Sequence, residues 1–460
     1  MPLSAGCAGG KPSYTVQTVL DFIYDKINMS PDGQYAIVQK DGKYGAFTRD
    51  GDQLQQVLPP EYAAIQLCGP DTFAATKDQT AWMLYDVQGE SLFPNTYSDI
   101  QYDAYNAVYY VIQDGRTGLV DAGGGILIEP VYGGLSMYPQ EQSGLCFASN
   151  DFGENGLLDT HGAQLLPLTY NYLNGKNGYI LYDTTQGGGQ YYGVLDLKLQ
   201  EVLPPVYLDM QLTDSDAYPF TALEDWSTGK RFTLDSDGNA FLQGCGYDGV
   251  SPMADGYFMV VQGGKYGVVD KDNHVVLPII YDGMTYDAEN HVGLLQKGGQ
   301  RSLVDGTGKQ LTDKFYDDIQ YYAADYKQVR LDGRIGYLND AFELAVPADY
   351  ESGGREADGL ICVRSDGKWG YITPANEVKI DFQYDSASTF QEGIARVSRD
   401  GKAGFIDADE KTVVPFDFDD VYTMKSSASP EQVRPLVGTL IPGRIQPVVK
   451  NGKWGCILIP

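Results

Sequence analysis

Short apolar runs separated by polar turns recur along the whole chain, and no stretch carries helical periodicity of any length. The pattern is clearest between Tyr257 and Tyr286. Tyr257-Phe258-Met259-Val260-Val261-Gln262 reads as a strand, and Gly263-Gly264 as the two-residue turn of a tight hairpin. Gly264-Lys265-Tyr266-Gly267-Val268-Val269-Asp270 carries the second strand. The following Asp270-Lys271-Asp272-Asn273 has sisters in Asp159-Thr160-His161-Gly162, Asp235-Ser236-Asp237-Gly238 and Asp305-Gly306-Thr307-Gly308. Asp at the first place and Gly at the fourth predict a type I turn. A third strand covers 275–281, and Asp282-Gly283 leads into a weak fourth segment, Met284-Thr285-Tyr286. Each unit is therefore a meander of three to four strands.

The unit repeats about twelve times. Aligned on the motif glycine, the positions are Gly45, Trp82, Gly118, Gly156, Gly193, Phe232, Gly267, Ser302, Gly336, Gly370, Gly404 and Gly455, the glycine being lost at 82, 232 and 302. Successive spacings are 34 to 39 residues until the last, 51, which places an insertion at 423–443. The third strand carries Pro-x-x-Tyr, as at Pro59/Tyr62, Pro94/Tyr97, Pro204/Tyr207 and Pro278/Tyr281. Proline cannot donate to a ladder, so this strand is expected at a sheet edge or with a bulge. The chain opens on a third strand (19–27) with no first or second before it, and closes on a first and second (446–456) with no third after. The two halves sum to one unit. The expected fold is all-β, a tandem array curved like a solenoid; a propeller-like closed ring, or two propellers, is the alternative. The expected organisation is a tail over 1–13, the array over 14–422, the insertion, and a closing half-repeat over 444–460.

Composition narrows the function. A hydrophobic fraction of 43% is enough for a core, and 35 Tyr with 55 Gly suit short strands and tight turns. A net charge of -29 repels nucleic acid and anionic membrane surface. No apolar run reaches the ~18 residues of a membrane-spanning helix. Six Cys without a CxxC pair read as buried thiols rather than a disulfide scaffold.

Gly42-Lys43-Tyr44-Gly45, Gly264-Lys265-Tyr266-Gly267, Gly367-Lys368-Trp369-Gly370, Gly401-Lys402-Ala403-Gly404 and Gly452-Lys453-Trp454-Gly455 resemble the bacterial WG (KWG) repeat. The likeness is sharpest over 254–420 and covers nearly the whole chain after Lys11. It implies a β-repeat of this length, often in surface or secreted bacterial proteins, with no catalytic activity and no settled ligand. Small residues before Cys7 and glycines after it also resemble the lipobox and tether of a bacterial lipoprotein, although Leu3 sits one place too far from the cysteine. A lipid anchor at Cys7, and with it a surface location, is the corresponding expectation, a plain tail the alternative.

Little else points to chemistry. His161, His274 and His291 show no metal spacing, and no nucleophile elbow, phosphate loop or dinucleotide fingerprint is present. Carboxylate pairs such as Asp317-Asp318 and the group Asp417, Asp419 and Asp420 have acid-base potential but sit where repeat turns want Asp. Calcium is the one cation left open, at Asp235-Ser236-Asp237-Gly238 and Asp407-Ala408-Asp409-Glu410, neither with a closing Glu. Gly267 is expected to leave a hollow for a neighbouring aromatic, with Tyr44, Tyr266, Trp369 and Trp454 as stacking residues. The leading expectation is a non-enzymatic, cofactor-free scaffold presenting an acidic surface to a protein or peptide. A glycan-binding wall module is second and a carbohydrate-active enzyme third.

Overall fold

Runs of consecutive buried residues in the inner strands dictate the architecture. In the motif strand Lys265–Asp270, Val268 and Val269 are both fully buried, yet they point to opposite faces and into different clusters. A sheet buried on both faces must be sandwiched between two others, and this holds around the molecule. The computed structural model describes residues 16–459 except 31, 94, 140–142, 255, 321–323 and 420–444. The described residues form twelve antiparallel sheets of three or four strands. We call them blades 1 to 12, spanning residues 26–62, 64–86, 99–132, 134–170, 173–207, 210–241, 249–281, 283–305, 318–350, 352–384, 386–419 and, last, 445–458 with 17–24. Between them lie twelve apolar clusters, each shared by two consecutive blades. An open array of twelve would have eleven such interfaces.

The twelfth is made at the ends of the chain. Gln17–Tyr24 pairs antiparallel with Lys453–Leu458, which pairs with Ile445–Lys450. The N-terminal strand is thus the outer strand of blade 12, and Leu20, Tyr24 and Cys456 pack with Ile27, Met29 and Val38 of blade 1. The two half-units do sum to one. The arrangement is the propeller-like ring, not the open curved array that the sequence reading preferred: pairing the ends leaves neither an exposed blade face nor a bare edge at the seam.

Two details of the unit differ from expectation. The weak fourth segment, now Gly283–Asp287, pairs with Val292–Lys297 and not with Val275–Tyr281, so it is the first strand of the next blade. Cross-strand pairing also moves the motif in blade 2 by one residue. Trp82 exchanges backbone bonds with Tyr97, as Arg301 does with Tyr316, so Trp82 holds the aromatic position and Met83 the glycine position. Spacing alone could not set that register, because the motif glycine is absent there and the hairpin turns vary in length: 77–81 before Trp82 and 150–154 before Asn155, against 263–264 before Lys265.

The motif glycine has a backbone reason. Tyr266 pairs with Tyr281 and Val268 with Leu277, leaving one residue on the third strand opposite three on the fourth. This bulge, which contains Pro278, bends the outer strand inward. A Cβ on Gly267 would lie 2.7 Å from the Leu277 carbonyl oxygen, and one on Gly370 2.7 Å from that of Ile380. The same register break recurs in all nine blades that keep the glycine. The three without it hold Met83, Phe232 and Ser302, and there the fourth strand shrinks to isolated bridges or to Ala240–Phe241. The glycine admits a strand's backbone first; at Gly370, Gly404 and Gly455 a ring of the bulge (Phe382, Phe416 and Phe22) lies over it as well, whereas at Gly267 the neighbour is Ile279, and the Pro-x-x-Tyr tyrosine pairs with the motif aromatic instead.

Candidate functional site

In a four-strand meander, the second turn and the link to the next blade share one end of the ring, and the first and third turns share the other. The two ends are built differently.

At the first end the motif lysine acquires a purpose. Lys265 Nζ lies 2.6 Å from Oδ1 of Asp282, which follows the Pro-x-x-Tyr tyrosine. The other oxygen of Asp282 accepts the N–H of Gly298, in the hairpin turn of the next blade, at 2.6 Å. One carboxylate thus clasps two blades. Full clasps recur at Lys230–Asp248–Gly263, Lys368–Asp385–Asp400, Lys402–Asp419–Gly452 and Lys453–Asp25–Asp41, with Lys–Asp distances of 2.5–2.7 Å. Asp317 and Glu351 accept the matching N–H groups of Gly333 and Gly367 at the two joints between. The lysine bond holds the carboxyls of Asp25, Asp248, Asp282 and Asp385 below the usual range. Asp419 is lowered too: burial pushes it up, and Lys402 with two backbone N–H groups outweighs that. As sequence alone, Asp282-Gly283 reads as a turn. The available signal was the recurrence of Tyr-Asp at a fixed distance after Gly-Lys.

The clasps stop abruptly. From blade 1 to blade 6 the Asp position holds Ala63, Ser98, Gly133, Asn171 and Leu208. Substitutes appear: Arg116 binds Asp151 across blades 3 and 4, and Arg231 binds Asp209.

At the second end the Asp of each third turn caps its own loop. Asp270 Oδ1 accepts the N–H of Asp272 at 3.0 Å and of His274 at 2.8 Å, and Asn273 adopts the left-handed conformation that closes the turn (φ 66°). Asp235 and Asp407, the calcium candidates, do the same, and Asp409 pairs with Lys379. Asp270, Asp272 and His274 are a donor group suited to a metal among the described residues, but all three are partly or fully exposed. The Asp270 carboxylate raises the His274 pKa. Asp317 and Asp318 face separate partners, Gly333 and Arg301. His161 lies in its predicted turn; His291 lies in the turn after the first strand of blade 8.

This end also opens into the ring. The first strands of blades 5, 6 and 7 (Leu173–Lys176, Met210–Leu212, Gly249–Pro252) converge on two adjoining cavities of about 800 and 820 Å³. Gln211 and Lys176 line both. Ser251, Thr221 and Tyr286 add hydroxyls, and Asp214, Asp216 and Glu289 rim the opening. Lys176 pairs with Asp214 at 2.8 Å.

The predicted motif residues are structural. Tyr44, Tyr266, Trp369 and Trp454 are half-buried against the interfaces between blades, so they form no exposed stripe. Gly45, Gly267, Gly370, Gly404 and Gly455 all face the bulged outer strand. Of the cysteines, Cys68, Cys146, Cys362 and Cys456 are buried and Cys245 half-buried. Burial pushes the Cys456 thiol up to about 12 and that of Cys146 to about 11. Cys7 and the 423–443 insertion lie outside the described residues.

The family comparison falls mostly on the clasped arc, although Lys230, the Asp317–Gly333 joint and Lys453 lie outside the matched residues. The model of the WG containing repeat matches 17–44, 244–266, 266–299, 335–369, 369–402 and 404–427, and nothing between 45 and 243. No curated protein matches the chain. Among solved structures, the chain is similar to a eukaryotic initiation factor (9% identity, 67% of this chain, 90% of that one, TM-score 0.35). It is similar to BamB from Moraxella catarrhalis (11%, 64% and 96%, TM-score 0.26). It is also similar to PorZ, a surface component of the type-IX secretion system of Porphyromonas gingivalis (9%, 98% and 70%, TM-score 0.21).

Proposed function

Taking as premise a chain built from WG-containing repeats and closed into one ring, we propose that it is a non-catalytic binding scaffold for a protein or peptide partner. The observation that carries this reading is the pair of adjoining cavities, about 800 and 820 Å³, where edge strands of successive blades meet. Their walls offer amides, hydroxyls and apolar patches under a carboxylate rim, the mixture that a polypeptide satisfies. A supporting feature is that, of the carboxylates with acid-base potential, Asp317 accepts a turn N–H, Asp318 pairs with Arg301 and Asp419 clasps Lys402, while Asp420 lies outside the described residues. As part of the same proposal, the protein works at the cell surface or outside the cell, held by a lipid on Cys7.

A photo-crosslinking side chain at Gln211, which lines both cavities, tests the scaffold. In the cells that make the protein it should yield one discrete protein adduct, while the same probe at Val378 on the outer rim yields none. The scaffold reading fails if no cavity position gives an adduct, or if the purified chain turns over a glycoside and loses that turnover in Asp214→Asn/Asp216→Asn. Metabolic labelling with an alkynyl fatty acid, lost in Cys7→Ser, checks the anchor.

A further inference from the structure

The four most exposed large apolar side chains among the described residues are Phe152 (89%), Trp226 (68%), Val131 (61%) and Val206 (60%). They share one end and one arc of the ring. Val131 immediately precedes the tyrosine of the outer strand of blade 3, Ile126–Tyr132. Phe152 tips the hairpin between Leu145–Ser149 and Asn155–Asp159 in blade 4. Val206 and Trp226 occupy the same two places in blades 5 and 6, before Tyr207 and in the turn after Phe220–Asp225. One combination, an apolar residue on the outer strand and an aromatic on the next blade's hairpin tip, therefore occurs twice, two blades apart. Arg116 ties the first pair together, donating to the Val131 carbonyl at 3.5 Å and to Asp151 beside Phe152.

Among the described residues the combination occurs nowhere else. Ile23 and Ile280 are exposed on outer strands, but the tips that follow are Asp41-Gly42 and Gly298-Gly299. In blades 9 to 11 the outer-strand place is Asp349, Gln383 and Asp417. The pairs occur only where the clasps do not. An exposed aromatic on a hairpin tip does nothing for the fold, and apolar residues clustered on one rim mark an interaction surface.

Charge selects the occupant. Residues 116–231, which take in both seats and their cationic neighbours, contain 14 Asp and Glu against Arg116, Lys176, Lys198, Lys230 and Arg231, a net of -9 in 116 residues, so the arc shares the acidic character of the whole chain, net -29. Glu154, Glu224 and Asp225 flank the two aromatics, while Asp151 is paired with Arg116. A second copy of this rim, or an anionic membrane, meets like charge. A basic segment with bulky apolar side chains meets both complements.

We propose that the outer rim of blades 3 to 6 docks a cationic, amphipathic segment of a partner protein, with Val131/Phe152 and Val206/Trp226 as two apolar seats. This rests on the scaffold reading but assigns a surface separate from the central cavities. The test uses the full chain and a labelled, end-capped peptide of lysine and leucine in amphipathic order. Two companions replace every leucine by serine or every lysine by glutamate. By fluorescence anisotropy in physiological salt, Phe152→Ser/Trp226→Ser should weaken the lysine-leucine peptide at least about tenfold, as loss of interface anchors does. Ile280→Ser/Val378→Ser should leave it unchanged, and both companions should bind at least about tenfold more weakly to the wild type. Phe152→Leu should restore part of the loss. The proposal is overturned if the serine companion binds equally well, if no peptide binds, if the aromatic pair proves silent, or if sedimentation shows a wild-type dimer that the double substitution dissolves. The Gln211 crosslink is unaffected by any of these outcomes, so the rim can fail while the scaffold stands.

Discussion

Seven consecutive joints of the ring, from blade 6 through blade 12 to blade 1, keep a carboxylate that accepts the next hairpin's N–H, and five of these add the motif lysine. The remaining five joints, within residues 45–243, have neither the carboxylate nor a family match. Yet both arcs bury their cores to the same degree: Val268, Val363 and Val397 on one side, Leu84, Leu158 and Val194 on the other, are all fully enclosed. The contrast separates two jobs that the motif combines. Apolar runs buried on both faces make a blade and stack it. The Lys–Asp–turn clasp fixes how one blade's hairpin sits over the next. Where the fixing is relaxed, the hairpin tips diverge, and that is where the exposed aromatics and much of the cavity wall are found.

The heaviest blow to the ring should come from its seam. Deleting residues 1–24 removes the outer strand of blade 12 and two interfaces' worth of packing. Loss of a single cooperative unfolding transition and new oligomers on gel filtration are expected, because an edge is left bare; a monomer with an unchanged melting curve would show that the ring does not depend on closure. Next, Ile372→Ala and Leu158→Ala, fully buried in opposite arcs, should each cost about 2–5 kcal/mol by urea unfolding. A much smaller cost at Leu158 would mean that the arcs differ in their cores after all. Gly370→Ala should cost about 1–3 kcal/mol, since its Cβ would press on the bulged backbone at Ile380; a neutral result would remove the account of the motif glycine.

Smaller effects test the clasp itself. Asp385→Asn should cost about 1 kcal/mol or less, as partly exposed ion pairs do. Its pH dependence is more telling. The folded carboxyl lies below its unfolded value, so its contribution is fully present above the unfolded range near pH 4 and fades as pH falls through the lower, folded value. Acid should accordingly accelerate hydrogen exchange at Asp41, Gly263, Gly298, Asp400 and Gly452, relative to neutral pH and corrected for intrinsic rate, more than at Gly115 or Gly188. Equal changes in both arcs would contradict a clasp. Last, Ala63→Asp places a carboxylate where Lys43 already stands on blade 1, and should add a few tenths of a kcal/mol; destabilisation would mean that the longer turn of blade 2 cannot accept it.

Much of this was legible in the residues. Twelve units, the split terminal unit, the Asp-led turns and the edge proline all follow from spacing and local chemistry, since each is written within one repeat. What the sequence hid lies between repeats. Asp282 looks like any turn Asp until Lys265 and Gly298 are seen on either side of it. Gly267 looked like a socket for a ring because the bulge opposite it depends on register, and register failed outright at Trp82, where the motif glycine is absent and the hairpin turns vary in length. The choice of ring over open array turned on whether Gln17–Tyr24 reaches Lys453–Leu458, a distance that no local pattern encodes. Phe152 and Trp226 carried a signal, large aromatics where sister turns have Asp, Asn or Gly, but it stands out only once the turns are superposed.

The bond between Lys453 and Asp25 spans 428 residues, and this sets an order of events during synthesis. At roughly 5–20 residues per second, a ribosome needs on the order of 20–90 s to make the partner that the first strand awaits. Through that interval blade after blade can stack on its predecessor, while the opening strand remains unpaired and the growing stack keeps one raw face. The ring is therefore completed by its latest-made strand clamping onto its earliest, and premature pairing of that early strand is the kinetic hazard built into the design.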